Sequence, residues 1–287
     1  MPNNSPGLVD WHCHLLPEID DGPASIEEAL QMAQILYKAG YRQVCCTPHC
    51  IKGSYDATSD DVRSAVALLQ AELDRAGIQL VLLAGREYYL DEFLFDFLND
   101  PLTLGDSKYL LLEIPVACNP IFIRDTCLQL TLRGYTPVIA HVERCGALLP
   151  PRAMKKPGRD ASTIVSAITG WYRTFFAGGD RECCYSGGPE QNPAAELCAH
   201  LVKTGIGFQG NIGSLVGLYG GLVQQHARHY LASGLYTHYG SDAHSSANLE
   251  AWLFQGLELV LGATGADMSG EFGLSAAGRG NRYAVLT

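Results

Sequence analysis

The sequence lacks the features of nucleic-acid-binding and membrane proteins. Its 287 residues include 20 Lys and Arg against 30 Asp and Glu, and the formal net charge of −10 would repel a phosphate backbone. It has no apolar run of the roughly 20 residues that a membrane span needs. Residues 1–7 show neither the basic nor the apolar region of a signal peptide. We therefore expect a cytoplasmic protein that has no membrane span and does not bind nucleic acid.

None of the 10 cysteines belongs to a Cys-x-x-Cys pair, which argues against a zinc finger or ribbon. Without an export signal, the thiols are expected to be reduced. Two segments, Cys118–Arg124 and Cys127–Arg133, have the Cys-x5-Arg spacing of cysteine-dependent tyrosine phosphatases. Both intervals are bulky and apolar, whereas a phosphate-cradling loop is small and contains glycine. We predict that Cys118 and Cys127 are core residues.

Short apolar runs alternate with amphipathic stretches along most of the chain, and a hydrophobic content of 47% is enough to bury a large core. We predict strands at residues 8–14, 43–47, 79–83, 109–114, 136–141 and 207–211, and one ending near Gly240. We predict helices from Ser25 to just before Gly40 and at residues 59–76, 121–133, 194–204, 214–233 and 249–261. This alternation indicates parallel βαβ units, and about seven of them favour a (β/α) barrel over a doubly wound sheet.

The alternation is interrupted between residues 146 and 191, and it stops in a Gly- and Ala-rich stretch after residue 262. We predict a single barrel domain over residues 1–262. A long insert at about 146–191 follows the strand that ends at His141, and residues 263–287 form a tail.

Histidine and carboxylate side chains follow the ends of the predicted strands. His12 and His14 occupy alternate strand positions, so their imidazoles lie on one face and can chelate one divalent ion. The C-terminal ends of all barrel strands line one mouth. The residues expected at this mouth are His12, His14, the carboxylates Glu18, Asp20 and Asp21, then His49, Glu87, Glu113, His141, Asp242 and His244. Eight or nine ligands exceed those of one ion, so we predict two or three ions with a bridging carboxylate.

These motifs, in this order, give the sequence its family resemblance. The segments that match are residues 12–22, 47–49, 85–91, 111–115, 134–144, 210–215 and 241–244. They resemble the PHP (polymerase and histidinol phosphatase) superfamily, and within it the CpsB/YwqE-type metal-dependent tyrosine-protein phosphatases of bacterial exopolysaccharide systems. The resemblance covers nearly the whole chain outside the insert and the tail.

The resemblance implies a distorted (β/α)7 TIM-like barrel, the PHP fold, with a site for three divalent ions. Manganese is the expected metal, with iron or zinc as alternatives. By resemblance, one ion is held by His12, His14, Glu87 and Asp242, a second by Glu87, Glu113 and His141, and a third by Asp21, His49 and His244. The family's position in the Asp-Asp-Gly motif is Asp21, although the sequence alone does not separate it from Asp20.

The implied reaction is hydrolysis of protein phosphotyrosine by a hydroxide that bridges the ions. Arg144 matches an arginine that binds the substrate phosphate, and Glu113 and His141 complete the expected catalytic set. The implied partner is the phosphorylated tail of a bacterial tyrosine kinase of polysaccharide assembly. The sequence leaves the oligomeric state and the physiological substrate open.

Three departures from the family pattern bear on the substrate. Val142 replaces a proline after His141, and residues 245–252 lack a second phosphate-binding arginine that follows the Asp-x-His motif in the family. The insert is the third departure: it is either a solvated basic loop or a source of replacement cations, namely Arg152, Lys155, Lys156 and Arg159. The alternatives are a small-molecule phosphatase of the histidinol-phosphate type and a non-catalytic metal-binding module that interacts with a kinase.

Overall fold

The computed structural model describes residues 7–148 and 193–264, a mixed α/β fold whose parallel strands curl into a half-barrel sheet. The described strands are β1 (Leu8–Cys13), β2 (Tyr41–Cys46), β3 (His49–Cys50), β4 (Val81–Ala84), β5 (Glu87–Tyr89), β6 (Tyr109–Glu113), β7 (Thr136–Ile139), β8 (Gly207–Asn211) and β9 (His238–Gly240). The described α-helices are α1 (Ile26–Lys38), α2 (Ser59–Ala76), α3 (Pro120–Leu132), α4 (Pro193–Thr204), α5 (Ile212–Val216), α6 (Gly221–Ser233) and α7 (Leu249–Thr264). Most of the predicted insert, including Arg152, Lys155, Lys156 and Arg159, and most of the predicted tail lie outside the described residues.

Local sequence signals set the ends of the helices. Helix α1 begins after Ser25, whose hydroxyl accepts from the backbone N–H of Glu28 at 3.3 Å. Helix α2 begins with a reciprocal capping box between Thr58 and Asp61, and ends at Gly77, which has a φ of 70°. Caps of this kind satisfy backbone groups that have no partner inside the helix.

The predicted single helix over residues 214–233 is wrong, because the chain forms two helices there. Helix α5 ends at Gly217 and helix α6 begins after Gly220, and both glycines have a φ of 93°. Glycine adopts this left-handed conformation at little cost, so two such residues end one helix and redirect the chain before the next. The residues between them, Leu218 and Tyr219, form an exposed turn.

Hydrogen bonding divides the parallel strands into two groups, in the orders β1-β2-β4 and β3-β5-β6-β7-β8-β9. The very short β3 and β5, which the sequence pattern did not predict, follow β2 and β4 after two-residue breaks. Backbone bonds cross these breaks, from Gly85 N–H to Cys46 O at 2.9 Å and from Glu87 N–H to Pro48 O at 3.1 Å. The two groups are therefore joined along the chain.

The first strand also meets the segment that follows the last strand. The N–H of Asp242 donates to His12 O at 2.7 Å, and the N–H of His14 donates to Ala243 O at 3.1 Å. The buried carboxylate of Asp10 links the same two segments, because its Oδ1 accepts from the N–H groups of His12 at 3.2 Å and Ser241 at 2.9 Å. We call this contact between β1 and the end of β9 the seam. Burial raises the pKa of Asp10 to about 6.

The first Cys-x5-Arg segment spans the start of helix α3, and the second forms the C-terminal end of that helix. Cys127 is buried, as predicted, and burial raises the pKa of its thiol to about 12. Cys118 differs from the prediction: it is half-buried and packs against the edge of the core. No described helix is long and apolar enough to cross a membrane.

The seam between β1 and β9 depends on the missing side chain of Gly240. A Cβ there would lie 2.5 Å from the Cβ of His12 and 2.9 Å from its backbone nitrogen. We expect Gly240→Ala to lower the free energy of unfolding by about 1–3 kcal/mol, because close-packed strands must separate. Urea unfolding measures the change. The matched control is Gly262→Ala in helix α7, where a Cβ meets nothing within 4 Å; equal stability of the two variants would contradict the prediction.

Candidate metal centre

All nine side chains predicted as ligands lie at one end of the described strands. They are His12 and His14 from β1 and its end, Asp21 from the following loop, His49 from β3, Glu87 from β5, Glu113 from β6, His141 after β7, and Asp242 and His244 after β9. The potential ligand atoms of eight of them form three groups, and within each group the atoms lie within 4.8 Å of one another, whereas His141 belongs to none of the three. The groups are His12, His14, Glu87 and Asp242; His14, Asp21, His49 and His244; and His49, Glu87 and Glu113.

The first group is the most deeply buried. His12 Nε2 and His14 Nε2 face each other at 3.1 Å. Glu87 Oε2 lies 3.3 Å from both nitrogens, and Asp242 Oδ1 lies 3.3 Å from His12 Nε2 and 3.4 Å from His14 Nε2. Two imidazole nitrogens and two carboxylate oxygens therefore surround one point, which is the donor set of a divalent transition metal.

The other two groups share members with the first. Glu87 Oε2 lies 3.0 Å from His49 Nδ1, and His49 Nδ1 lies 3.7 Å from Glu113 Oε2. His141 Nε2 lies 2.9 Å from Glu87 Oε1 and 3.9 Å from Glu113 Oε1. His49 is thus close to the atoms that the family resemblance places with His141 around a second ion. Glu87 Oε2 faces His12, His14 and His49, whereas Glu87 Oε1 faces His141. This is the arrangement of a bridging carboxylate.

Two buried polar atoms in this cluster have no hydrogen-bond partner among the described residues, and bound cations would compensate them. Within the described residues, Glu87 Oε2 and His49 Nδ1 are buried and have no hydrogen-bond partner. They lie 3.0 Å apart without hydrogen-bonding geometry. An unpartnered carboxylate oxygen in a protein interior is costly unless a charge compensates it. The residues present therefore fit bound divalent ions.

The outer nitrogens of three imidazoles are already occupied. His12 Nδ1 lies 3.1 Å from Gln209 Oε1, His14 Nδ1 lies 2.6 Å from Asp20 Oδ2, and His244 Nδ1 lies 2.9 Å from the carbonyl of Asp242. Each of these oxygens accepts, so each Nδ1 carries a proton, and in the neutral imidazole each Nε2 has the lone pair that a metal needs. Outer partners of this kind set the tautomer of metal-binding histidines.

Two amides on β8, which sequence reasoning did not single out, organise this outer layer. The backbone N–H of His141 donates to Gln209 Oε1 at 2.7 Å, which identifies that atom as the oxygen. Gln209 Nε2 then donates to Asn211 Oδ1 at 2.9 Å, and Asn211 Nδ2 donates to Asp242 Oδ2 at 2.6 Å. The signal was available, because polar residues at alternate positions of a fully buried strand need partners inside the sheet.

The structure also separates Asp20 from Asp21. Asp20 Oδ2 accepts from the His49 backbone N–H at 2.9 Å in addition to contacting His14 Nδ1, so Asp20 orients two candidate ligands. Asp21 is half-exposed, and its Oδ1 lies 3.3 Å from His244 Nε2 and 3.6 Å from His49 Nε2. Asp21 is therefore the carboxylate that faces the Nε2 atoms of the candidate ligands His244 and His49, whereas Asp20 contacts the outer nitrogen of His14.

Two of the candidate ligands have left-handed backbone conformations. His141 has a φ of 30° and Asp242 has a φ of 54°. Non-glycine residues in this region store conformational strain, which persists where surrounding contacts impose it and which concentrates at functional sites. Two hydrogen bonds hold these backbones: the side chain of Gln209 accepts from the N–H of His141, and the carbonyl of His12 in β1 accepts from the N–H of Asp242.

A cavity of about 300 Å³ opens beside these groups. Its described lining consists of Asp21, His49, Glu113, His141, Arg144, Tyr219, Asp242 and His244. Arg144 is the cation among them, and its Nη1 donates to Asp242 Oδ2 at 2.9 Å. The cavity therefore combines a wall of candidate ligands with one guanidinium, a suitable environment for an anionic group.

Electrostatics inside the cluster couple the histidines to the carboxylates. Burial opposes the charged form of His12, but Glu87 and Asp242 more than offset this and raise its pKa to about 9. The same contacts hold the pKa of Glu87 and Asp242 well below their usual range despite burial. Burial, reinforced by the charge of Glu87, raises the pKa of Glu113. Without metal, protons on the imidazoles supply the compensating positive charge.

Comparison with known proteins relates the chain to one group. The family described as capsular polysaccharide synthesis, CpsB/CapC, matches residues 8–156, more than half of the chain. The chain is 29% identical over 240 residues to the tyrosine-protein phosphatase YwqE of Bacillus subtilis, covering 83% of this chain and 78% of that protein. It is 30% identical over 143 residues to the tyrosine-protein phosphatase CpsB of Streptococcus agalactiae, covering 49% of this chain and 59% of that protein.

A solved structure is also similar. It comes from a study of YwqE from Bacillus subtilis and CpsB from Streptococcus pneumoniae as metal-dependent tyrosine phosphatases. The TM-score is 0.67 with 26% sequence identity, over 91% of this chain and 90% of that one. The similarity in fold therefore extends over most of both chains.

The pKa shifts predict opposite effects of pH with and without metal. In the metal-free protein, protonation of His12 stabilises the fold fully below its ordinary pKa of 6.5, and this stability is lost as the pH rises through about 9. Metal needs the neutral imidazole, so the gain in Tm from added Mn²⁺ should increase over the same range. His238, whose pKa burial lowers to about 4, contributes only below this window. A Tm in EDTA that rises between pH 6.5 and 9 would contradict this prediction.

Asp20 offers a test of ligand orientation. We expect Asp20→Asn to weaken Mn²⁺ binding about 10- to 100-fold, because the amide holds His14 and His49 less firmly than the carboxylate does. Titration calorimetry on the chelator-treated protein measures the affinity. The control is Asp96→Asn, since Asp96 is an exposed residue that pairs with Lys52. Wild-type affinity in Asp20→Asn would show that the 2.6 Å contact to His14 does not matter for metal.

Proposed function

Because the chain belongs to the CpsB/CapC family of capsular polysaccharide synthesis proteins, we propose that it is a metal-dependent phosphatase that hydrolyses protein phosphotyrosine. The observation that carries the proposal is the cavity in which candidate metal ligands and Arg144 face the same space. YwqE and CpsB, which the chain resembles over the same strands, are tyrosine-protein phosphatases. The expected substrate is the phosphorylated tail of a bacterial tyrosine kinase that acts in polysaccharide assembly.

We propose that residues 1–262 form one distorted (β/α)7 barrel of the PHP type, interrupted by the insert. Counting β2 with β3 and β4 with β5 as broken single strands gives seven strands. The backbone bonds between β1 and the residues after β9 support closure of this barrel. In a closed barrel, all strand ends contribute to one mouth, as the proposed site requires.

The site is proposed to hold two or three divalent ions, with manganese expected and iron or zinc as alternatives. His12, His14, Glu87 and Asp242 would hold one ion, Glu87 and Glu113 with His141 a second, and Asp21, His49 and His244 a third. The geometry adds His14 to the third set and His49 to the second. Bound ions of this kind neutralise phosphoryl oxygens and acidify a water molecule at neutral pH.

Arg144 is the residue proposed to bind the phosphoryl group. One nitrogen of its guanidinium is held by Asp242 Oδ2 at 2.9 Å, and the side chain is 30% exposed toward the cavity. No described residue other than Asp242 accepts a hydrogen bond from the guanidinium of Arg144, and this planar group is well suited to donate its remaining N–H groups to phosphoryl oxygens. Glu113 and His141 line the same cavity and complete the proposed catalytic set.

Activity measurements test the proposal directly. We expect turnover of a phosphotyrosine peptide with Mn²⁺ that is lost on chelation and falls at least about 100-fold in His141→Ala, because that variant removes a ligand beside Glu87. Histidinol phosphate, assayed in parallel, should be the poorer substrate.

The possible contrary results separate the alternatives. A clear preference for histidinol phosphate would favour a small-molecule phosphatase. Mn²⁺ binding without turnover of either substrate would favour a non-catalytic metal-binding module. Turnover that survives both chelation and His141→Ala would refute the metal mechanism itself.

A further inference from the structure

One lining side chain of the cavity has no part in the proposed mechanism. Of the eight described lining residues, six are candidate metal ligands and one is Arg144. The eighth is Tyr219, in the turn between helices α5 and α6, and it is 37% exposed. A tyrosine at this place brings a hydroxyl donor and an aromatic face to the space where substrate must bind.

The ring of Tyr219 lies against the guanidinium of Arg144. Arg144 Cζ is 4.6 Å from the ring centroid, within the range of a cation–π contact. Arg144 is thus held from two sides, by the ring of Tyr219 and by the carboxylate of Asp242. The aromatic contact restricts the guanidinium without using any N–H group, so those that do not donate to Asp242 can bind an anion.

The hydroxyl of Tyr219 is the weakest of three donors to one oxygen. Asp242 Oδ2 accepts from Asn211 Nδ2 at 2.6 Å, from Arg144 Nη1 at 2.9 Å and from the Tyr219 hydroxyl at 3.3 Å. The third bond is long for a hydroxyl donor. It is therefore the donor that a phosphoryl oxygen in the cavity can recruit at the lowest cost.

The backbone around Tyr219 fixes its place. Gly217 and Gly220 both have a φ of 93°, and the N–H of Gly220 donates to Gly217 O at 3.0 Å. The turn follows helix α5, which begins directly after Asn211 at the end of β8. The position of Tyr219 is therefore tied to the same strand end that holds Asp242.

On the basis of the proposed function, we propose that Tyr219 is a substrate-binding residue whose hydroxyl donates to the phosphoryl group beside Arg144 while its ring holds the guanidinium. The phosphate site then has two donors from the protein, one charged and one neutral. Tyr219 thus supplies a second contact to the phosphoryl group. In the family, that second contact comes from an arginine that residues 245–252 of this chain lack.

The test compares Tyr219→Phe, Tyr219→Leu and wild type, each loaded with Mn²⁺. We expect Tyr219→Phe to raise both the KM for a phosphotyrosine peptide and the inhibition constant of inorganic phosphate about tenfold, because one hydrogen bond to an anion is lost. The kcat should change less than about threefold. Tyr219→Leu, which also removes the ring under Arg144, should raise both constants a further two- to fivefold.

The control for loss of a hydroxyl is Tyr37→Phe, since Tyr37 contacts the exposed amide of Gln79 at 3.4 Å and lies away from the cavity. Elemental analysis checks that each variant keeps its metal. An unchanged phosphate inhibition constant in Tyr219→Phe would overturn the proposal. So would loss of metal in that variant, because Tyr219 would then act through Asp242 rather than on the substrate.

Binding of inorganic phosphate to the Mn²⁺-loaded protein, measured by calorimetry, keeps this proposal separate from the proposed function. A wild-type protein without phosphatase activity would refute the proposed function. The affinity difference between wild type and Tyr219→Phe would still be measurable, and it would decide the role of Tyr219 by itself.

Discussion

The structure depends on the convergence of five imidazoles and four carboxylates at one end of a curled parallel sheet. Within the most buried group, nitrogen and oxygen atoms lie 3.1–3.4 Å apart with almost no exposure to solvent. Such a cluster is unfavourable in a protein interior unless protons or cations neutralise it. The outer hydrogen bonds, the left-handed backbone at His141 and Asp242, and the close seam between β1 and β9 all serve to hold these groups in place.

Asp242 shows how one side chain links the parts of the site. Its Oδ1 faces the nitrogens of His12 and His14, whereas its Oδ2 accepts from Asn211, Arg144 and Tyr219. One oxygen therefore faces candidate metal ligands, and the other accepts from the two residues that we propose to bind phosphate. Because the two oxygens share one charge, the position of Arg144 is tied to the geometry of the candidate ligands.

The acidic composition of the chain is consistent with an anionic substrate. The formal charge of −10 counts the carboxylates of Asp21, Glu113 and Asp242 as bare charges, although they line the cavity together with Arg144. Two or three divalent ions would add about +4 to +6 at that place, taking each ion as about +2. The local field that meets a phosphoryl group would then be opposite in sign to the net charge of the chain.

The sequence by itself determined the ligand types and the strand ends that carry them, because alternate positions in a strand share a face and parallel strands end together. It predicted His12 and His14 as neighbours and the alternation of strands and helices. It did not separate Asp20 from Asp21, predict the break between helices α5 and α6 at Gly217 and Gly220, or identify the contacts of Gln209, Asn211 and Tyr219. Only the tertiary structure decided these, because each depends on contacts between residues far apart in the chain, such as the 2.7 Å bond between His141 and Gln209.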